Sequence, residues 1–86
     1  MSKFQVSIIV SLRPSVLDPA GQATTTASKR LGIDGITNLR IGKSIQLDIE
    51  ANSEHDARTK IELLCDRLLS NPVMENWSFD LRESNS

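Results

Sequence analysis

Three stretches carry residue types that could do chemistry. The first is Gly42-Lys43-Ser44, which matches the tail of a phosphate-binding loop. A complete loop of that kind needs an earlier glycine at position 37 and a strand-to-helix setting, so that helix N–H groups face the phosphates. Position 37 is Thr37, and the tripeptide falls between two extended segments, so it reads as a hairpin turn with an exposed lysine. The second is the pair His55 and Cys65, the only histidine and the only cysteine. On one helix their spacing corresponds to about 15 Å of rise, too far for a base to activate a thiol. His55 has no cysteine or carboxylate at ligand spacing and reads as an exposed helix residue, while Cys65 belongs to an apolar stripe and reads as a buried structural thiol.

The third is Ser15–Gly21, "SVLDPAG". A helix beginning here could offer N–H groups to an anion, but Asp18 would cap that end itself and repel the anion. The carboxylates Asp48, Glu50, Glu54 and Asp56 are close in sequence but straddle a strand end and a helix start, so they read as caps and surface charges. No stretch assembles a nucleophile, its base and an oxyanion site. The expectation is a chain with no catalytic residues, no metal site and no cofactor of its own.

The elements that position these residues follow from periodicity. "KFQVSIIVSLR" alternates, with Phe4, Val6, Ile8, Val10 and Leu12 on one face, and predicts a central strand. Ile9 interrupts the polar face, which suggests cover on both sides at mid-strand. Asp18 caps a helix that Pro19 begins, running to about Leu31 with Ala20, Ala23, Ala27 and Leu31 on one face and Gly32 after it. Gly21 and three consecutive threonines are poor helix formers, so this helix should depend on packing its small-residue face against a sheet.

Two strands are predicted next, over Thr37–Ile41 and through Ile45, Leu47 and Ile49, with the Gly42-Lys43 turn between them. Ser53 opens a second helix, with Asp56 in a variant of the capping box and Ala57, Ile61, Leu64, Cys65 and Leu68 as its apolar stripe. Glu54–Arg58, Asp56–Lys60 and Arg58–Glu62 are pairs four apart on its wet side, and Asn71-Pro72 stops it. "ENWSFDLRE" alternates Trp77, Phe79 and Leu81 against polar residues as the last strand. The predicted order is β-α-β-β-α-β. That is an α+β, ferredoxin-like antiparallel sheet with two helices on one face, its exposed edges suited to extension by dimerisation.

At 86 residues the chain is a single domain, expected over residues 1–82 with a polar, disordered tail at 83–86. So small a domain has a thin core, which favours association. A net charge of −1 and only three aromatic residues argue against a nucleic-acid partner. The N-terminus turns polar too soon for a signal peptide and no run is long enough to span a membrane, so a cytoplasmic protein without membrane contact is expected.

"SLRPSVLDPAGQA", "NLRIGKSIQLDI" and "CDRLLSNPVMENWSFDL", in that order, resemble the PurS family, from about Val6 to Leu81. The more specific parts are Val16–Gly21, Arg40–Lys43 and Leu68–Val73. Ala20 stands where the family usually has glutamine. The resemblance implies the small, non-catalytic subunit of phosphoribosylformylglycinamidine (FGAM) synthase in de novo purine biosynthesis. It implies a homodimer, possibly a tetramer, joined to a large synthetase subunit and a glutaminase subunit. Ammonia released by the glutaminase then reaches the synthetase, which uses ATP and Mg to convert formylglycinamide ribonucleotide to FGAM. Asp18, Pro19, Gly21, Arg40, Gly42, Lys43, Asn71 and Pro72 are then candidate partner or interface residues. Trp77 and Phe79 on the last strand join them as interface anchors. An alternative with the same element order is a free-standing ACT-like module that binds amino acids. An RNA-binding domain of similar topology is disfavoured by the missing aromatics on the central strands.

Overall fold

In the computed structural model, which describes residues 1–84, six segments follow one another. They are β1 (Ser2–Leu12), α1 (Pro19–Arg30), β2 (Lys43–Ala51), α2 (Glu54–Leu64), a π-helical turn (Cys65–Leu69) and β3 (Glu75–Ser84). β1 is the centre of a three-stranded antiparallel sheet ordered β2-β1-β3, as its alternation predicts. Val6 sits opposite Leu47 on one side and Leu81 on the other, and Ile8 opposite Ile45 and Phe79. These layers, with Phe4 and Val10, make the inner face. Ala57 and Ile61 of α2 and Cys65 of the π turn, all fully buried, close it from one side. The α+β class and the ferredoxin-type antiparallel arrangement hold.

One expected strand does not form. Residues 33–42 carry no strand, so the order is β-α-β-α-β and the sheet has three strands rather than four. The backbone explains this: Gly32, Gly35 and Asn38 have φ of 83°, 90° and 55°, which interrupts any extended ladder. The N–H of Ile41, a ladder donor in a strand, goes instead to the Asp18 carboxylate at 2.8 Å.

The first helix also differs. α1 begins and ends as expected, with Asp18 as N-cap and Leu31 as C-cap, but it does not lie on the sheet. Ala20, Ala23, Ala27 and Leu31 are all exposed, and the buried positions are Gly21 and Ser28. The inner face therefore carries α2 alone. Local bonds support α1: the hydroxyls of Thr24 and Thr25 each donate to the carbonyl four residues back at 2.9 Å.

α2 starts at Ser53, whose hydroxyl accepts from the Asp56 N–H at 3.0 Å. Asp56 reaches back to the N–H of Asn52, one residue before the cap, at 3.2 Å and also pairs with Lys60. Arg58 pairs with Glu54 and sits 5.8 Å from the centre of the Phe79 ring. No ion pair joins Arg58 to Glu62 among the described residues. The π turn then shifts the apolar stripe by one residue. Leu68 points outward, 74% exposed, while Leu69 packs against the core in its place.

Ile9 is half exposed on the outer face, between Ser44 and Ser78, so a single chain leaves mid-strand open on that side. β3 runs to Ser84, opposite Lys3, beyond the boundary expected at 82; residues 85–86 of the expected tail lie outside the described residues. Among the described residues no helix is long and apolar enough to cross a membrane.

Candidate functional site

At the end of the sheet where β1 finishes and β2 begins, three loops are tied to one another by side chains. Asp18 is the first tie. It is 5% exposed, and its Oδ1 accepts from the Gly21 N–H at 2.9 Å while its Oδ2 accepts from the Ile41 N–H at 2.8 Å. These two backbone donors, with the Arg40 charge nearby, hold its carboxyl below the ordinary aspartate range. Both oxygens are thus engaged by the protein's own backbone, and the N-terminus of α1 is not an open anion cradle. Gly21 is required here because a Cβ would collide with the Leu39 carbonyl.

Arg40 is the second tie. Its Nη2 donates to the carbonyls of Arg13 at 2.9 Å and Val16 at 2.6 Å. Arg13 is the third. Its N–H donates to the Met74 carbonyl at 2.8 Å and its Nη2 to the Pro72 carbonyl at 2.5 Å. Lys43 donates to the Leu69 carbonyl at 3.2 Å. Asn71 shapes the last loop: its Oδ1 accepts from the Val73 N–H at 3.1 Å, and its carbonyl accepts from Met74 and Glu75. Gly42 passes close under β1, where a Cβ would lie 2.7 Å from the Val10 carbonyl.

Asp18, Pro19, Gly21, Arg40, Gly42, Lys43, Asn71 and Pro72 therefore share one corner. Trp77 is opposite Val10 in the same end of the sheet, and Phe79 one layer further in, with their ring centroids 6.1 Å apart. Arg13 is a member of the corner that is absent from the residues singled out in the sequence. Its signal was its place inside "SLRPSVLDPAG", between the strand and the capped helix. Leu17, Ile41, Val73 and Met74 add exposed apolar surface around the corner. A cleft of about 400 Å³ opens beside it, lined by Leu17, Gln22, Thr25, Thr26, Asn38 and Arg40 among others.

The arrangement ties its loops together through hydrogen bonds from Arg13, Arg40 and Lys43 to backbone carbonyls and from backbone N–H groups to Asp18. Lys43 starts a strand instead of preceding a helix, so the phosphate-loop reading has no structural basis. Cys65 is fully buried and burial pushes its thiol pKa up, whereas His55 is exposed at the other end of α2.

Comparison with known proteins assigns the chain as a whole to a family. The family model described as PurS, phosphoribosylformylglycinamidine (FGAM) synthase, matches residues 5–83. The chain belongs to the PurS family. Among curated relatives, the PurS subunit of Synechocystis is 46% identical over 78 residues, covering 91% of this chain and 78% of the relative. That of Bacillus subtilis is 35% identical over 80 residues, covering 93% and 94%. The solved structure of B. subtilis PurS superposes with a TM-score of 0.85 at 35% identity, covering 93% of this chain and 99% of that one. A chain in the structure of PurLQS from Thermotoga maritima gives 0.82 at 33% identity, covering 98% and 100%. The three loops of the corner all lie within the span that matches the PurS model.

Proposed function

We propose that this PurS-family chain bridges the synthetase and glutaminase subunits of FGAM synthase as a non-catalytic homodimer. The family places it as a subunit of that enzyme in purine biosynthesis. The observation that carries the bridging role is the full-length likeness to a chain of the T. maritima PurLQS assembly. In this reading the chain binds no cofactor itself. ATP and Mg are used by the synthetase subunit, and the whole assembly works in the cytoplasm.

The physical need for a bridge is clear. Ammonia that reaches neutral water is mostly protonated, and ammonium is not a nucleophile. Keeping the glutaminase and synthetase sites in one closed assembly prevents that loss. The corner suits such a role because its loops are fixed by charged side chains onto carbonyls rather than left mobile. A free-standing ACT-like module is not favoured, since the relatives across the chain's length are PurS subunits.

The test is a pull-down with the intact chain as bait in its own cell extract. Recovery of an ATP-dependent synthetase together with a glutaminase is the expected result. Recovery of neither, with the bait folded, contradicts the reading.

A further inference from the structure

The basic residues divide by position. Lys3, Arg58, Lys60, Arg67 and Arg82 each pair with a carboxylate, at 3.2 to 3.9 Å. The others, Arg13, Lys29, Arg30, Arg40 and Lys43, all fall between positions 13 and 43 and form no ion pair among the described residues. Three of these, Arg13, Arg40 and Lys43, are exposed and gathered at the corner. What holds them there is neutral: the carbonyls of Pro72, of Arg13 and Val16, and of Leu69. Both guanidinium groups are held through Nη2, so Nε and Nη1 have no hydrogen-bond partner among the described residues.

The acidic groups of the same loops are already engaged. Asp18 spends both oxygens on the N–H groups of Gly21 and Ile41. Glu75 accepts from the Asn71 N–H at 2.7 Å, and Asp66 pairs with Arg67. The corner is therefore a cationic surface on a chain whose net charge is −1. It is also apolar in part. Leu17, Ile41 and Val73 are exposed, Val73 to 83%, and each follows directly on a residue of the hydrogen-bonded set.

We propose that the corner is an acidic-peptide site, where a carboxylate-bearing segment of a larger FGAM synthase subunit docks against Arg13, Arg40 and Lys43. A guanidinium fixed through one nitrogen still offers N–H donors to a carboxylate, and holding it in place beforehand lowers the ordering cost of binding. The apolar side chains decide the class of partner. A small anion has nothing to set against Leu17, Ile41 and Val73, whereas a peptide segment supplies both carboxylates and apolar side chains. This inference rests on the bridging reading above and adds the chemistry by which the chain selects its partner.

The test measures binding of the purified synthetase and glutaminase subunits to the immobilised full chain as salt is raised. Between about 50 and about 500 mM salt, the association rate of one subunit is expected to fall at least about tenfold, because salt screens a complementary charged interface. Lys43→Glu is expected to weaken that subunit's binding at least about tenfold at low salt. Arg82→Glu, the same charge change on an exposed residue of β3, is expected to leave it unaltered. A wild type that binds neither subunit at any salt overturns the bridging reading and the acidic-peptide site together. Binding that either salt or Lys43→Glu leaves unchanged, or that Arg82→Glu weakens equally, overturns the site alone. Competition by inorganic phosphate at matched ionic strength does the same, since it assigns the corner to a small anion. Should Lys43→Glu fail to fold, as read by far-UV circular dichroism, the wild-type salt series and the phosphate competition decide.

Discussion

Asp18 caps one element and fastens another with a single carboxylate. The sequence made the cap legible, because Asp-Pro followed by small residues is a helix start on local grounds. Its second bond, to Ile41, was not legible, since nothing in residues 15–21 says which distant N–H will arrive there. The same holds for Gly21. A glycine in a helix reads as a weakness, and only the Leu39 carbonyl shows that no side chain fits. Two outcomes follow at this scale. Asp18 has a folded pKa below the ordinary 3.8, so its stabilising effect is complete above that value and is lost as the pH falls through the lowered one. Asp18→Asn is therefore expected to lower the melting temperature at pH 7 and to flatten the fall in stability below about pH 4, read by thermal denaturation across pH. Gly21→Ala is expected to cost about 1–3 kcal/mol in urea denaturation, because the extra methyl meets backbone that is itself tied down.

Among the elements, those with long regular patterns were legible and those decided by tertiary contact were not. The alternation of β1 located the central strand, and the Ser53 cap located α2. Thr37–Ile41 read as a strand by composition, but positive φ at Gly35 and Asn38 and the Asp18 bond take its backbone elsewhere. The helical stripe predicted Leu68 inward. The π turn, whose Cys65 carbonyl accepts from the Ser70 hydroxyl at 2.8 Å, inserts Leu69 instead. Leu69→Ala is accordingly expected to destabilise by about 2 kcal/mol and Leu68→Ala by under about 0.5 kcal/mol, compared by chemical denaturation. Equal losses would mean that the turn does not select between them.

For the whole molecule, the sequence signalled a thin core and a need for partners, but not the separation of α1 from its own sheet. Helical periodicity says which side of a helix is apolar and is silent on which molecule covers it. In this account the corner presents its tied loops to the larger subunits. Arg40→Ala, which frees the carbonyls of Arg13 and Val16, is expected to weaken recovery of the larger subunits in the pull-down while the dimer persists in sedimentation. Loss of both together would assign the corner to the dimer instead. The central claim is that the chain enables ammonia transfer without catalysing any step. It is tested most directly by reconstituting the synthetase and glutaminase subunits with and without this chain, and measuring FGAM formation from glutamine and from added ammonia. The account expects the glutamine-dependent rate to collapse when the chain is omitted and the ammonia-dependent rate to be largely retained. Glutamine-dependent synthesis that proceeds unchanged without the chain would contradict it.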